Sequence, residues 1–198
     1  MKTLIIQYSP IRTGSTVLVN ALYGLIPSLS NKNILFNSSN NIINLDKLLN
    51  LEKLNLDKLL NLDYDIFVIK SHTTNTIDDY ITKYNNDYKL FFICSERAEL
   101  NLLIDEKYKL YDNVIVFSFD ELNESSTNTV TMIVENIYHK INNKLNIELN
   151  IENGINRIIG MNKLYEEIKH KDFAYFDKFY HLHGSHRNRN KKVNNLKK

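Results

Sequence analysis

Thr3-Leu4-Ile5-Ile6-Gln7-Tyr8-Ser9-Pro10-Ile11-Arg12-Thr13-Gly14-Ser15-Thr16-Val17-Leu18 is the stretch on which the fold turns. The β-branched and aliphatic run Thr3–Tyr8 predicts a buried strand. Ser9-Pro10 signals a turn. Beyond it, apolar residues at 17, 18, 21, 22, 25 and 26 fall at helical spacing, and Pro27 closes the helix. A strand, a tight loop with one glycine and a helix in direct succession aim backbone N–H groups and a positive helix end at one spot. Such a spot holds an anion, most often a phosphate. Arg12 adds a fixed positive charge, and Ser15 and Thr16 add hydroxyl donors. The plainer alternative is that Gly14 only starts a helix in an α/β domain. The loop lacks the first glycine of G-x-x-x-x-G-K-[ST] and has Ser15 in place of its lysine, so an ordinary nucleoside triphosphatase is not expected.

The chain has 198 residues, enough for one α/β domain with a real core. A net charge of +2 gives no global bias toward nucleic acid, and none is expected as a partner. The single cysteine, Cys94, excludes an internal disulfide framework and a multi-cysteine zinc site, and fits a reducing compartment. The apolar run at the start is too short for a signal peptide, and no run approaches the roughly 18 apolar residues of a membrane span. The expected location is therefore cytoplasmic.

Further along, residues 28–44 read as a loop with a short strand at most. Residues 44–63 hold two imperfect copies of an eleven-residue leucine-rich unit, suited to one or two amphipathic helices packed on the core. Asp65–Lys70 predicts a second buried strand, ending in Lys70-Ser71-His72. Ligands of open α/β sheets bind at the C-terminal ends of strands. Lys70 and His72 alternate with Ser71 and so face one side. A histidine beside a bound anion suits a general base, its ordinary pKa being about 6.5. Read alone it is an ordinary exposed histidine. Lys89–Cys94 predicts a third strand, with a helix opening at Ser95-Glu96-Arg97 and running to about Lys109. That helix would put Arg97 on its surface beside a glutamate. Asn113–Phe119 predicts a fourth strand. Apolar residues at 130, 133, 134, 137, 138 and 141 mark one helix, and Ile155, Ile158, Ile159, Tyr165 and Ile168 another, within 145–170. His181, His183 and His186 lack an acidic or cysteine partner at helical spacing, so no metal is expected. One domain is expected over residues 1–190, followed by a basic, disordered tail at 191–198.

Three segments, in order, resemble one family. Pro10 to Thr16 resembles the 5′-phosphosulfate loop of sulfotransferases that use 3′-phosphoadenosine 5′-phosphosulfate, with Ile11 an extra residue between Pro10 and Arg12. Lys70-Ser71-His72 resembles their Lys-Thr-His segment. Ser118-Phe119-Asp120-Glu121-Leu122 is similar to their Tyr-Glu-Asp-Leu segment. The resemblance implies a three-layer α/β/α fold with a central parallel sheet and P-loop-like nucleotide-binding topology. It implies sulfuryl transfer from that donor to an acceptor hydroxyl. By it, Thr13, Gly14, Ser15 and Thr16 hold the phosphosulfate, Arg12 and Lys70 stabilise the moving charge, and His72 takes the acceptor's proton. It also implies 3′-phosphate contacts from Arg97 and from a C-terminal loop with Gly184, His186, Arg187 and Arg189. The family has its arginine directly after the strand and a serine eight residues later. Here Arg97 follows two intervening residues, and Asp105 takes the serine's place. A non-catalytic nucleotide- or anion-binding protein on the same fold, and less readily a small-molecule kinase, stay open. So does the acceptor: alcohol, sugar, phenol or protein tyrosine.

Overall fold

A computed structural model describes residues 1–10, 12–27, 66–71, 76–168, 176–177, 179–180 and 182–183. The leucine-rich repeat, His72, the 184–189 loop and the basic tail lie outside the described residues.

Four parallel strands, β1 (Lys2–Tyr8), β2 (Ile66–Ser71), β3 (Tyr88–Glu96) and β4 (Val114–Ser118), form one sheet in the order β2-β1-β3-β4. A strand paired on both edges and covered on both faces needs apolar side chains in unbroken succession. Leu4, Ile5 and Ile6 of β1 supply them, each fully buried, and Phe91 to Cys94 of β3 do the same. Ile5 sits in register with Val68 on one side and Phe91 on the other.

Alternation divides the core into two layers. Ile5, Val68, Phe91, Ile93, Ile115 and Phe117 face α1 (Ser15–Leu25), α5 (Val130–Leu145) and α6 (Ile151–Ile168). Leu4, Ile6, Phe67, Phe92, Cys94 and Val114 face α2 (Ile77–Tyr84) and the short α3 (Glu106–Lys109). The result is a three-layer α/β/α arrangement around a parallel sheet, as expected from the sequence. A turn-length α4 (Phe119–Leu122) follows β4. A two-residue pair, β5 (Phe176–Asp177) and β6 (Leu182–His183), forms a separate antiparallel ribbon.

Helix α1 is wedged between sheet and α6. A Cβ on Gly24 would stand 2.6 Å from Asn153 O and from Gly154 Cα, so the two backbones meet with no side chain between them. The helix stops because Ile26 is extended (φ −96°, ψ 100°) ahead of Pro27, whose ring disfavours a helical predecessor.

One expected element is corrected. Residues 95–109 are not a single helix. Strand β3 continues to Glu96, and Arg97 and Leu102 exchange two backbone hydrogen bonds of 2.8 and 3.1 Å. The turn between them is a 3₁₀ stretch, Ala98–Leu100, closed by Asn101 at φ +52°. Only Glu106–Lys109 is α-helical. Pairing across the turn satisfies the backbone that a helix would otherwise have used. No helix among the described residues is long and apolar enough to cross a membrane.

Candidate functional site: the loop after the central strand

Strand β1 leaves the sheet at Tyr8, and the Ser9 N–H still donates to Ser71 O at 3.1 Å. The chain then arches over the strand ends and re-enters as α1. Two residues of the arch have left-handed backbone: Arg12 at φ +73° and Gly14 at φ +90°. Gly14 is favoured by its φ, and a Cβ there would also crowd Leu122, lying 3.1 Å from its Cβ. For Arg12 the same backbone costs about 1–2 kcal/mol, so the surroundings must hold it.

Helix α1 begins differently from its neighbours. The other five described α-helices each start with a side chain accepting a backbone N–H: Thr76, Asp105, Ser118, Thr129 and Asn150. Gly14 provides no such side chain, and the first turn of α1 carries no acid. The N–H groups of Ser15, Thr16 and Val17 have no acceptor within the helix. They point, with the helix dipole, at the C-terminal edge of the sheet.

A buried hydroxyl cluster underlies the arch. Ser9, Thr13 and Ser95 are all fully buried. Ser95 Oγ stands 2.8 Å from Ser9 Oγ and 2.8 Å from Thr13 Oγ1. The Ser95 N–H donates to Ser9 Oγ at 2.8 Å, Gln7 Nε2 donates to it at 2.6 Å, and Thr13 Oγ1 donates to Pro10 O at 2.8 Å. The Thr13 hydroxyl thus faces inward and is engaged within the cluster.

Three cations enter from three adjacent strand ends. Arg12 is exposed on the arch. Lys70, half-buried near the end of β2, is in register with Gln7 and shares its face of the sheet. Arg97 follows β3, its guanidinium 3.8 Å from the centre of the Phe119 ring and its Nε 3.4 Å from Glu99 Oε2. Neighbouring strands lie about 4.8 Å apart, so the three strands are about 10 Å across, and Arg97 lies four residues beyond the level of Lys70 along the sheet. After β1 the chain turns to the α1 face, and after β3 to the α3 face, the change of direction at which open α/β sheets place their ligands.

Nearby acids are already engaged. Glu96 is paired with Lys109 Nζ at 2.9 Å, and the hydrogen bonds that Lys109 donates to Glu96 and to Glu106 raise its pKa. Asp105 accepts from the Lys107 N–H at 3.1 Å and caps α3. Its position eight residues after Arg97 therefore reflects a helix start. Burial, with smaller like-charge effects, pushes the Tyr8 phenol up to about 12, so it stays protonated at the end of β1.

The structure brings together Arg12, Thr13, Gly14, Ser15, Thr16, Lys70 and Arg97 at one end of the sheet. His72, Gly184, His186 and Arg187 lie outside the described residues. Among the described residues no cluster of His, Cys, Asp or Glu could hold a metal ion. Sequence reading missed Gln7, Ser9 and Ser95. A signal was present: Gln7 and Ser95 are polar residues on the α1 face of otherwise apolar strands, each at the last inward-facing position. Comparisons of the chain with protein-family models, with curated proteins and with solved structures found no match.

Proposed function

We propose that the chain is a sulfotransferase that moves a sulfuryl group from 3′-phosphoadenosine 5′-phosphosulfate to an acceptor hydroxyl. The observation that carries the reading is the uncapped start of α1, behind a left-handed Gly14, at the C-terminal edge of a central parallel strand. An uncapped, acid-free helix start flanked by Arg12, Lys70 and Arg97 suits a polyanion. The resemblance of Pro10–Thr16, Lys70–His72 and Ser118–Leu122 to sulfotransferase segments supports a phosphosulfate over a simple phosphate. In this reading the backbone of Thr13 to Thr16 holds the donor, while Arg12 and Lys70 stabilise charge on the transferring group. The acceptor oxygen attacks sulfur in line as the bond from sulfur to the bridging phosphate oxygen breaks. Adenosine 3′,5′-bisphosphate leaves, and His72 takes the acceptor proton.

A second reading, a non-catalytic nucleotide-binding protein, is favoured by one observation. Arg97 is stacked on Phe119 and turned to Glu99 within a hairpin, rather than free at a strand end. Calorimetric titration separates the readings from each other and from a kinase. Adenosine 3′,5′-bisphosphate is expected to bind more tightly than AMP or ATP. Equal affinity for AMP removes the case for a 3′-phosphate site, and tight magnesium-dependent ATP binding favours a kinase. For the enzyme, His72→Ala is expected to lower sulfate transfer to a panel of phenols and sugars by about 10²–10⁴-fold at nearly unchanged bisphosphate affinity. Bisphosphate binding with no transfer by the wild type selects the binding protein.

A further inference from the structure

We infer that Ser95, at the far end of β3, is a positioning residue for the anion loop, and that the Thr13 hydroxyl belongs to this lock rather than to the ligand. The inference rests on the reading that the loop holds an anion. Ser95 is fully buried, and its hydroxyl and N–H are both engaged by residues of the loop. Its hydroxyl lies 2.8 Å from Ser9 Oγ, at one foot of the arch, and 2.8 Å from Thr13 Oγ1, at the other. Its N–H fixes Ser9 a second time at 2.8 Å. Between the two feet stand Pro10 and, at φ +73°, Arg12. A non-glycine residue holds a left-handed backbone only where its neighbours over-determine it. Here the over-determining contacts come from another strand, 86 residues away in sequence for Ser9 and 82 for Thr13. The lock also sets where the Thr13 to Thr16 N–H groups point, because Thr13 opens that run. Gln7 Nε2, donating to Ser9 Oγ at 2.6 Å, ties the cluster back to β1.

The test uses the full chain and adenosine 3′,5′-bisphosphate as probe. Thr13→Val keeps the shape and removes the hydroxyl, whereas Thr13→Ser keeps the hydroxyl. Thr13→Val and Ser95→Ala are each expected to weaken binding about 10-fold, and Thr13→Ser no more than about 2-fold. The double variant Ser95→Ala/Thr13→Val is expected to lose about 10- to 20-fold rather than 100-fold, since both changes break one unit. Amide hydrogen exchange at residues 12–16 is expected to quicken in Thr13→Val and Ser95→Ala, with β1 and β3 unchanged. Exchange reports on the lock without any ligand. If the wild type binds no bisphosphate, the function reading fails while exchange still decides the lock. Should Ser95→Ala not fold, the Thr13 pair decides it. The inference is overturned if Thr13→Val matches Thr13→Ser in exchange, or if the two losses of affinity multiply in full.

Discussion

Arg12 carries two properties that two substitutions separate: a charge, and a side chain on left-handed backbone at φ +73°. Arg12→Ala removes the charge and keeps the backbone strain. Arg12→Gly removes both. The glycine variant is therefore expected to be about 1 kcal/mol more stable than the alanine variant in denaturant unfolding. Both are expected to weaken anion binding by about 1.5–3 kcal/mol, the worth of a charge-assisted hydrogen bond. Equal stability of the two would show that the arch is not strained at Arg12. Gly14 gives the complementary case. At φ +90°, with Leu122 at 3.1 Å from the added methyl, Gly14→Ala is expected to cost about 1–3 kcal/mol and to displace α4. A drop in thermal midpoint without loss of bisphosphate affinity would mean that Gly14 serves packing alone. The sequence made both residues visible, through one glycine and one arginine between a strand and a helix. For Ser95 the sequence showed only a polar residue at the end of an apolar strand, because its partners lie 86 and 82 residues away and no local pattern joins them.

At the scale of elements, the four strands were legible to within a residue or two, since each is a short apolar run bounded by polar residues. The segment after β3 was not. Glu96 to Lys109 has helix-favouring composition, but Asn101 takes a left-handed turn and Arg97 pairs with Leu102. Tertiary pairing overrode propensity there. The junction of β4, α4 and α5 shows how an element boundary is fixed by charge. Glu121 accepts from the Ser118 N–H at 2.7 Å while Ser118 Oγ accepts from the Glu121 N–H at 3.3 Å, a capping box. Glu121 also accepts from Asn136 at 3.0 Å and pairs with Lys140 of α5. Burial pushes its carboxyl up, but the hydrogen bonds from Lys140, Asn136 and Ser118 outweigh it and bring the pKa to about 2. A depressed folded pKa stabilises above the ordinary carboxyl value and loses that contribution as the group protonates. Stability is thus expected to fall as pH drops from about 4.5 toward 2. Glu121→Ala is expected to cost about 1–2 kcal/mol at neutral pH, allowing for partial exposure, and nothing further near pH 2. Urea unfolding of both proteins across this pH range checks it, and a constant difference between them at all pH values would reject the assignment.

Across the whole molecule, segments distant in sequence meet on α1. Arg157 of α6 stacks its guanidinium on Tyr23, Phe179 and Tyr180, with 4.8, 4.2 and 5.3 Å to the ring centres. Its Nε donates to Asn20 Oδ1 at 3.2 Å, and a terminal nitrogen donates to Phe179 O. Asn20, fully buried in α1, donates at 2.8 Å both to Thr16 O and to Tyr180 O. One cation therefore joins α6, α1 and the turn between β5 and β6, and Asn20 carries the junction one helical turn below the anion loop. A β-ribbon of two-residue strands has little stability of its own. It depends on this junction, so removing Arg157 should release it before the sheet is affected. Arg157→Ala also leaves the Asn20 carbonyl oxygen buried without its donor, and the expected total cost is about 2–3 kcal/mol. Arg157→Lys should recover less than half of that, because an ammonium lacks the planar face that stacks and the second nitrogen that reaches Phe179 O. Amide exchange over residues 176–183 is expected to rise in both variants while β1 and β3 keep their protection. If exchange rises equally in the ribbon and in the sheet, Arg157 supports the fold as a whole, and the junction is not what holds the C-terminal ribbon to α1.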